Sequence, residues 1–409
     1  MENQNQSKNY HNPFQLKFSF GLVMMAMIIV SVMTLYAFTD KKTVSEKENR
    51  TLSKAPQLSV RNWFNGGFTS QLNSFLNDHV MNRDGMIKTA TKFEGMMKKE
   101  QEMQITIADS DRKDIGSDAL ILSDRIIALC ISNEDYVRDI IKYSNELYHM
   151  MPQGVNKYMM LSPTRIEFET DYCKQYTDSQ ADLISIIYSA VSDEVKKIDA
   201  YSPVDMACDT YGINKIYFRT DHHWTHFGAS FGANALLAEF GKNLVNPESF
   251  EEIITGEFLG YLAVMHDNEI GDIPPDTYSY YDYGTDVYED AYGVEGADIT
   301  EGIHELLVDS SRAGYYTFVE RSYQYVVVEG GNKGGGVLMM VNDSYGNALV
   351  PWIAKQFDKI IMIDPRVFNG GKQKVLELVE EYKVDSFMIN LAGLVVGSSF
   401  GGEMKRMCE

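Results

Sequence analysis

The chain has 409 residues, enough for one large domain or two ordinary ones, and its 44% apolar and 12% aromatic content marks a globular protein. A formal charge of -21 argues against a nucleic-acid partner, because phosphates would be repelled instead of giving up counterions to lysine and arginine. The four cysteines, Cys130, Cys173, Cys208 and Cys408, are far apart with no C-x-x-C pair, which argues against a zinc ribbon or a thiol redox motif; no cofactor is expected.

In chain order, the first element is FSFGLVMMAMIIVSVMTLYAF, residues 18–38. It is 21 residues without a charge, about 30 Å as a helix and enough to span a bilayer's hydrocarbon. No small-x-small cleavage pattern follows, so an uncleaved single-span anchor is expected. Lys8 and Lys17 precede it, whereas Lys41, Lys42, Lys47, Arg50 and Lys54 follow it. A bare count would place the large domain inside, yet charge carries little weight when a long domain follows, and the residues alone leave the topology open. Beyond the Asn65-Gly66-Gly67 turn, Phe68, Leu72, Phe75, Leu76 and Val80 recur at helical spacing.

A second helix is expected over Glu134 to Met151, ending at Pro152, followed by a buried strand over Asn156 to Thr164 and a helix over Ala181 to Ile198. Between Asp267 and Thr300 there are ten acidic residues and six tyrosines but no lysine or arginine. A solvated surface insertion is the plainer expectation; a lid or a tyrosine-lined sugar platform is the sharper one. The glycine run at 329–336 fails as a phosphate loop, since Lys333 is followed by glycine and a strand comes next, so a flexible turn is expected. Strands over Val337 to Val341, Lys359 to Ile363 and Ser386 to Ile389 alternate with helices over Tyr345 to Gln356 and Lys372 to Tyr382. This β-α-β-α-β pattern implies a parallel sheet flanked by helices, with ligands at the carboxyl ends of its strands. Ser344, Asp364, Arg366 and Asn390 fall at those ends.

Ser344, at a sharp strand-to-helix turn, would be exposed at the sheet edge with the amides of the next helix placed to hold an oxyanion; the competing role is a helix cap. The stretch RTDHHWTHFGAS, residues 219–230, holds three of the eight histidines. His222, His223 and His226 have spacings that could share a metal on a helix. Thr225, however, is a good N-cap for a helix beginning at His226, which would leave His222 and His223 in extended chain. Alternation would then put Asp221 and His223 on one face, a carboxylate beside an imidazole suited to proton transfer, with His222 and Trp224 on the other.

"DHHW", Asp221 to Trp224, resembles the signature of the DHHW protein family, which is similar to the alginate O-acetyltransferase-type members of the SGNH hydrolase superfamily. Glu48-Asn49-Arg50 with Pro56, the Asn65-Gly66 turn and Asp78 through Arg83 resemble that family's amino-terminal region. NDSYGNALVPWIAKQF followed by IDPR resembles its serine block. The resemblance implies an α/β SGNH hydrolase-like domain with a Ser344, His223, Asp221 triad. Asn390 is placed as an oxyanion group, though without the usual Gly-x-Asn-Asp context, and Asn342 stands where the family has glycine. It also implies a cytoplasmic tail at 1–17, the anchor at 18–38, a membrane-proximal helical segment at 39–110 and an extracytoplasmic catalytic domain at 111–409. The expected activity is O-acyl transfer, acetyl foremost, onto a cell-surface or secreted polysaccharide or a cell-wall glycan. A multi-pass membrane O-acyltransferase would be the partner that delivers the acyl group. His222, Tyr345 and Arg366 are further candidates for lining the site. An esterase for the same polymers, a non-catalytic carbohydrate-binding or scaffold subunit, and a metal-dependent hydrolase using the three histidines are the alternatives.

Overall fold

The alternation of strands and helices expected beyond residue 118 is present in the computed structural model, which describes residues 118–266, 273–282, 287–294, 302–311, 314–318 and 323–409, with 44–45, 50–51, 75 and 106–108. The apolar run 18–38, the amphipathic segment 68–80 apart from Phe75, and much of 267–300 lie outside the described residues. Among the described residues no helix is long and apolar enough to cross a membrane. The chain divides into two units, Met1–Gln101 and Glu102–Glu409. The first contains the paired strands β1 (Val44–Ser45) and β2 (Arg50–Thr51).

The second unit begins with an antiparallel three-stranded sheet, β3 (Thr106–Ala108), β4 (Ala119–Ile121) and β5 (Ile126–Ala128). After it come β6 (Asn156–Ser162), β7 (Lys196–Ile198), β8 (Glu251–Phe258), β9 (Asp276–Asp282), β10 (Tyr288–Val294) and β11 (Gly302–Leu306). The last four strands are β12 (Tyr323–Glu329), β13 (Val337–Asn342), β14 (Lys359–Ile363) and β15 (Ser386–Ala392). Eight of these form one sheet in the order β11-β10-β12-β14-β13-β15-β6-β7. From β14 to β7 every pairing is parallel, whereas β12, β10 and β11 are attached antiparallel. The sheet is therefore mixed, not the purely parallel one expected.

The parallel strands are apolar on both faces because helices cover both. Met339, Val341, Ile361, Ile363, Ile389 and Leu391 pack on the side of helices Glu134–Met150, Gly371–Glu381 and Phe400–Cys408. Leu338, Met340, Ile360, Met362 and Met388 pack on the side of helices Tyr201–Tyr211, His226–Glu239 and Tyr345–Ile353. Helix Glu134–Met150 starts where Asn133 accepts from the Asp135 and Tyr136 amides.

Three expectations change. The helix expected through Ile198 stops at Ala190, and Lys196–Ile198 pairs with β6. Val191, Val195 and Ile198 are all buried, so their helix-like spacing reflects core burial along a turn and a short strand, and tertiary pairing overrides local pattern. The acidic, tyrosine-rich segment is not a loop throughout: β9 pairs with β8 and β10 enters the main sheet. Its tyrosines supply the apolar faces these strands need, Tyr278 and Tyr281 being buried and Tyr292 stacking on Tyr325 at 4.6 Å. The glycine run is the expected turn, closed by the Gly335 amide on the Asn332 carbonyl at 2.7 Å, but it is pinned instead of loose. It passes beneath the start of β14, with the Gly330 and Gly331 amides on the Asp358 carbonyl. A Cβ at Gly330 would lie 2.1 Å from the Ala354 carbonyl oxygen.

Candidate active site

The carboxyl ends of β13, β14 and β15 open into a cavity of about 790 Å³, and the DHHW loop closes one side of it. Ser344 sits two residues past β13, just before helix Tyr345–Ile353, and its side chain makes no capping bond. Asp343 ties down this turn instead: its Oδ1 accepts from the Tyr345 amide at 2.9 Å and its Oδ2 from the Ala392 amide at 2.7 Å. Burial pushes the Asp343 carboxyl above its ordinary value despite those two donors. With Asp343 holding the backbone, the Ser344 hydroxyl is left for another partner.

That partner is His223, whose Nε2 is 2.6 Å from Ser344 Oγ. Its Nδ1 is 2.6 Å from Asp221 Oδ1, which also accepts the His223 amide at 2.9 Å. Asp221 Oδ2 accepts from the Tyr261 amide at 2.7 Å. Burial opposes the Asp221 charge, but His223, His222 and the Tyr261 amide outweigh it and hold the carboxyl well below the usual carboxylate range. An ionised carboxylate can only accept, so the proton of the ring lies on Nδ1 and the lone pair of Nε2 faces the Ser344 hydroxyl. The Tyr315 ring stacks on His223 at 3.8 Å and 14°, and its hydroxyl donates to the Ser344 carbonyl at 3.1 Å.

The loop bearing the histidines is held from below. Asp276 of β9 accepts from the Arg219 and Thr220 amides and from Thr220 Oγ1, the last at 2.6 Å, and also pairs with the Arg219 guanidinium. Gly260 lies against it, where a Cβ would fall 2.3 Å from Asp221 Cβ and 2.7 Å from the Thr220 carbonyl oxygen. Gly260→Ala should therefore displace Asp221, destabilising the fold by about 1–3 kcal/mol. Thermal melts would show the loss, and an unchanged melting temperature would mean the loop yields freely.

Thr225 does cap helix His226–Glu239, accepting from the Gly228 amide. Residues 219–223, however, form bends rather than an alternating strand. His222 is thereby turned to the same side as His223, with ring centroids 4.0 Å apart and its Nδ1 3.8 Å from Asp221 Oδ1. The extended-chain alternation fails here because Asp276 binds the Arg219 and Thr220 amides and Asp221 binds the His223 amide, which curls the backbone between them. Burial and the neighbouring His223 push the His222 imidazole down to about 3.

Of the other candidates, His222, Tyr345 and Arg366 line the cavity. The Tyr345 hydroxyl donates to the His222 carbonyl at 2.7 Å, so it braces the loop. Arg366 is clamped to Asp364 by Nε and Nη2 at 2.9 and 2.7 Å. Asn390 is inside β15, not at its end: it is buried opposite Asn342, and the cavity wall does not include it. The amides of Tyr345, Gly346 and Asn347 are bonded to Asp343 and Ser344, so the oxyanion role expected of the helix's opening amides is not available to them. The residues missed by sequence reasoning are Asp276, Tyr261 and Tyr315. An arginine just before the motif signals the need for a carboxylate partner, but not which of the many acidic residues it is.

The three histidines do not gather. His226 is buried against Trp352, Phe318 and Tyr281, with Nδ1 accepting from the Tyr281 amide at 3.2 Å. Asp221, His222 and His223 do present ligand-type atoms within 4.8 Å of one another. Yet one Asp221 oxygen and both ring nitrogens of His223 are already engaged in the chain leading to Ser344.

Burial lowers the pKa of His226 from 6.5 to about 3. With the folded value below the unfolded one, this group's support for the fold is complete above pH 6.5 and is lost progressively as pH falls toward 3. Melting temperature should accordingly fall across that window, and less steeply in His226→Gln, as thermal melts at stepped pH would show.

An Asp–His–Ser hydrogen-bonded chain at the carboxyl ends of a mixed α/β sheet defines a serine-site α/β protein. The chain belongs to the DHHW protein family, whose sequence model matches residues 117–363. Among solved structures it is similar to a DHHW family protein from Eubacterium siraeum, with 22% identity over 71% of this chain and 98% of that one and a TM-score of 0.60. It is also similar to Bacillus cereus PatB1, with 16% identity over 69% of this chain and 99% of that one and a TM-score of 0.56. The same PatB1 with a sulfonyl adduct has a TM-score of 0.55, 16% identity and coverage of 69% and 97%. These likenesses are of fold. Comparison with curated protein sequences finds no match.

Proposed function

We propose that the protein is a membrane-anchored, extracytoplasmic serine O-acyltransferase that modifies the hydroxyls of a cell-surface or secreted polysaccharide. The observation that carries this reading is the 2.6 Å approach of His223 Nε2 to Ser344 Oγ in a chain ending at buried, ionised Asp221. The sulfonyl adduct named for PatB1 is consistent with a nucleophilic side chain on this fold.

In the first half-reaction Ser344 Oγ attacks the carbonyl carbon of an acyl donor while His223 Nε2 takes its proton. Collapse of the tetrahedral adduct breaks the bond to the leaving oxygen, to which His223 returns that proton. In the second half a sugar hydroxyl gives its proton to His223, attacks the Ser344 ester and leaves acylated. The proton then returns to Ser344. Asp221 keeps its charge throughout and stabilises the imidazolium. The apolar run 18–38 supports an anchor, and a multi-pass membrane acyltransferase would supply the acyl group to the site.

Water in place of the sugar would make the same residues an esterase. The test is the fate of the acyl group when the full-length chain, purified in detergent, is given an acetyl ester with and without acceptor oligosaccharides. Acetylated sugar supports the transferase. Acetate alone makes it an esterase, and neither product leaves the scaffold role.

A further inference from the structure

The cavity beside Ser344 is deeper and more apolar than an acetyl group requires. Met340, Met362 and Val326 lie side by side across β13, β14 and β12, and Met362 and Val326 line the cavity. Met362 is two residues below Asp364, the residue level with the end of the sheet. At a strand rise of about 3.3 Å per residue the cavity thus reaches about 7 Å beneath the strand ends. An acetyl methyl extends only one C–C bond, about 1.5 Å, past the reacting carbonyl. Leu394, Val395 and Phe400, which pack on the other face of the sheet, also line the cavity above the strand ends, as do the polar residues Tyr323, Asn342, Asn347, Asp364, Arg366 and Glu403. A sugar pressed onto Val326 and Met362 would bury the hydroxyls of that side against methyl and thioether groups, whereas an alkyl chain would meet matching surface there.

We infer that the hollow is an acyl-chain pocket and that the group carried on Ser344 is longer than acetyl, of the butyryl-to-octanoyl class. This rests on the serine-acylation reading above. The donor's chain lies on Val326 and Met362 with its carbonyl carbon at Ser344 Oγ. The C–O bond to the donor's leaving group breaks as the Oγ–C bond forms, with the proton passing through His223 to the leaving oxygen. Outside the mouth, Leu259 and Val264 are exposed apolar residues of the cavity wall, which extends the apolar path toward solvent.

The experiment is a chain-length series on the full-length chain in detergent, using p-nitrophenyl acetate, butyrate, hexanoate and octanoate, with kcat/KM for each and the mass of the acyl-enzyme. Each methylene buried should raise kcat/KM by about fourfold until the pocket is full, so hexanoate should exceed acetate by tenfold or more. Val326→Phe and Met362→Phe should lower the hexanoate-to-acetate ratio. If either fails to fold, the wild-type series decides alone. A Ser344 adduct formed best with acetate and weakly with longer chains overturns the pocket while leaving the serine mechanism standing. No adduct with any ester overturns both.

Discussion

Ser344→Ala should lower acyl-ester turnover by on the order of 10⁴- to 10⁶-fold and abolish the acyl-enzyme, while leaving the melting temperature within a few degrees of wild type. The large effect follows because removing a nucleophile forces a different reaction path, and only residual binding and polarisation remain. The small stability effect follows from the geometry: the turn is secured by the Asp343 carboxylate on the Tyr345 and Ala392 amides, and the Ser344 hydroxyl caps nothing. Steady-state kinetics with thermal melts check both halves. Turnover within tenfold of wild type would remove Ser344 from the reaction.

Asp221→Asn should cost about 10⁴-fold in kcat with little change in volume. Asp221 Oδ1 now accepts from the His223 amide and from Nδ1, and Oδ2 accepts from the Tyr261 amide. An asparagine can keep its oxygen toward only one of those two sides. If its amino group faces Nδ1, the ring must accept there and place its proton on Nε2, toward Ser344, where a base is needed. If it faces Tyr261 instead, two N–H groups confront each other. The loss should appear in kcat at every pH, and a variant with near-normal kcat would show that Asp221 serves only the fold.

Much of this site is legible in the sequence, and the reasons differ from residue to residue. Strands over 337–342 and 359–363 are unambiguous because short apolar runs are bounded by glycine, asparagine and aspartate. The Asp221, His223 and Ser344 grouping is legible only in part: the Asp-x-His spacing and the serine turn identify candidates, but their meeting depends on a connection 121 residues long. His222 departs from its expected side because period-two alternation holds for ladders, and here side-chain carboxylates bind the 219, 220 and 223 amides and bend the chain. Asp276 was hidden among acidic neighbours; nothing local distinguishes the one that reaches Arg219. Strands β9 and β10 are hidden for a related reason, since tyrosines among acidic residues read as surface until a pairing strand or a stacking partner such as Tyr325 buries one face. Asn390 shows the limit of end-of-strand reasoning: β15 runs on to Ala392, whose amide is needed by Asp343, so the asparagine is carried inside.

The measurement that bears most directly on the central claim is the location of the acyl group after brief incubation with an activated acyl ester, by intact mass and peptide mapping. Wild type should carry one acyl group, on Ser344, and His223→Ala should carry none over the same interval. An adduct on another residue, or equal labelling with His223 removed, would contradict the account.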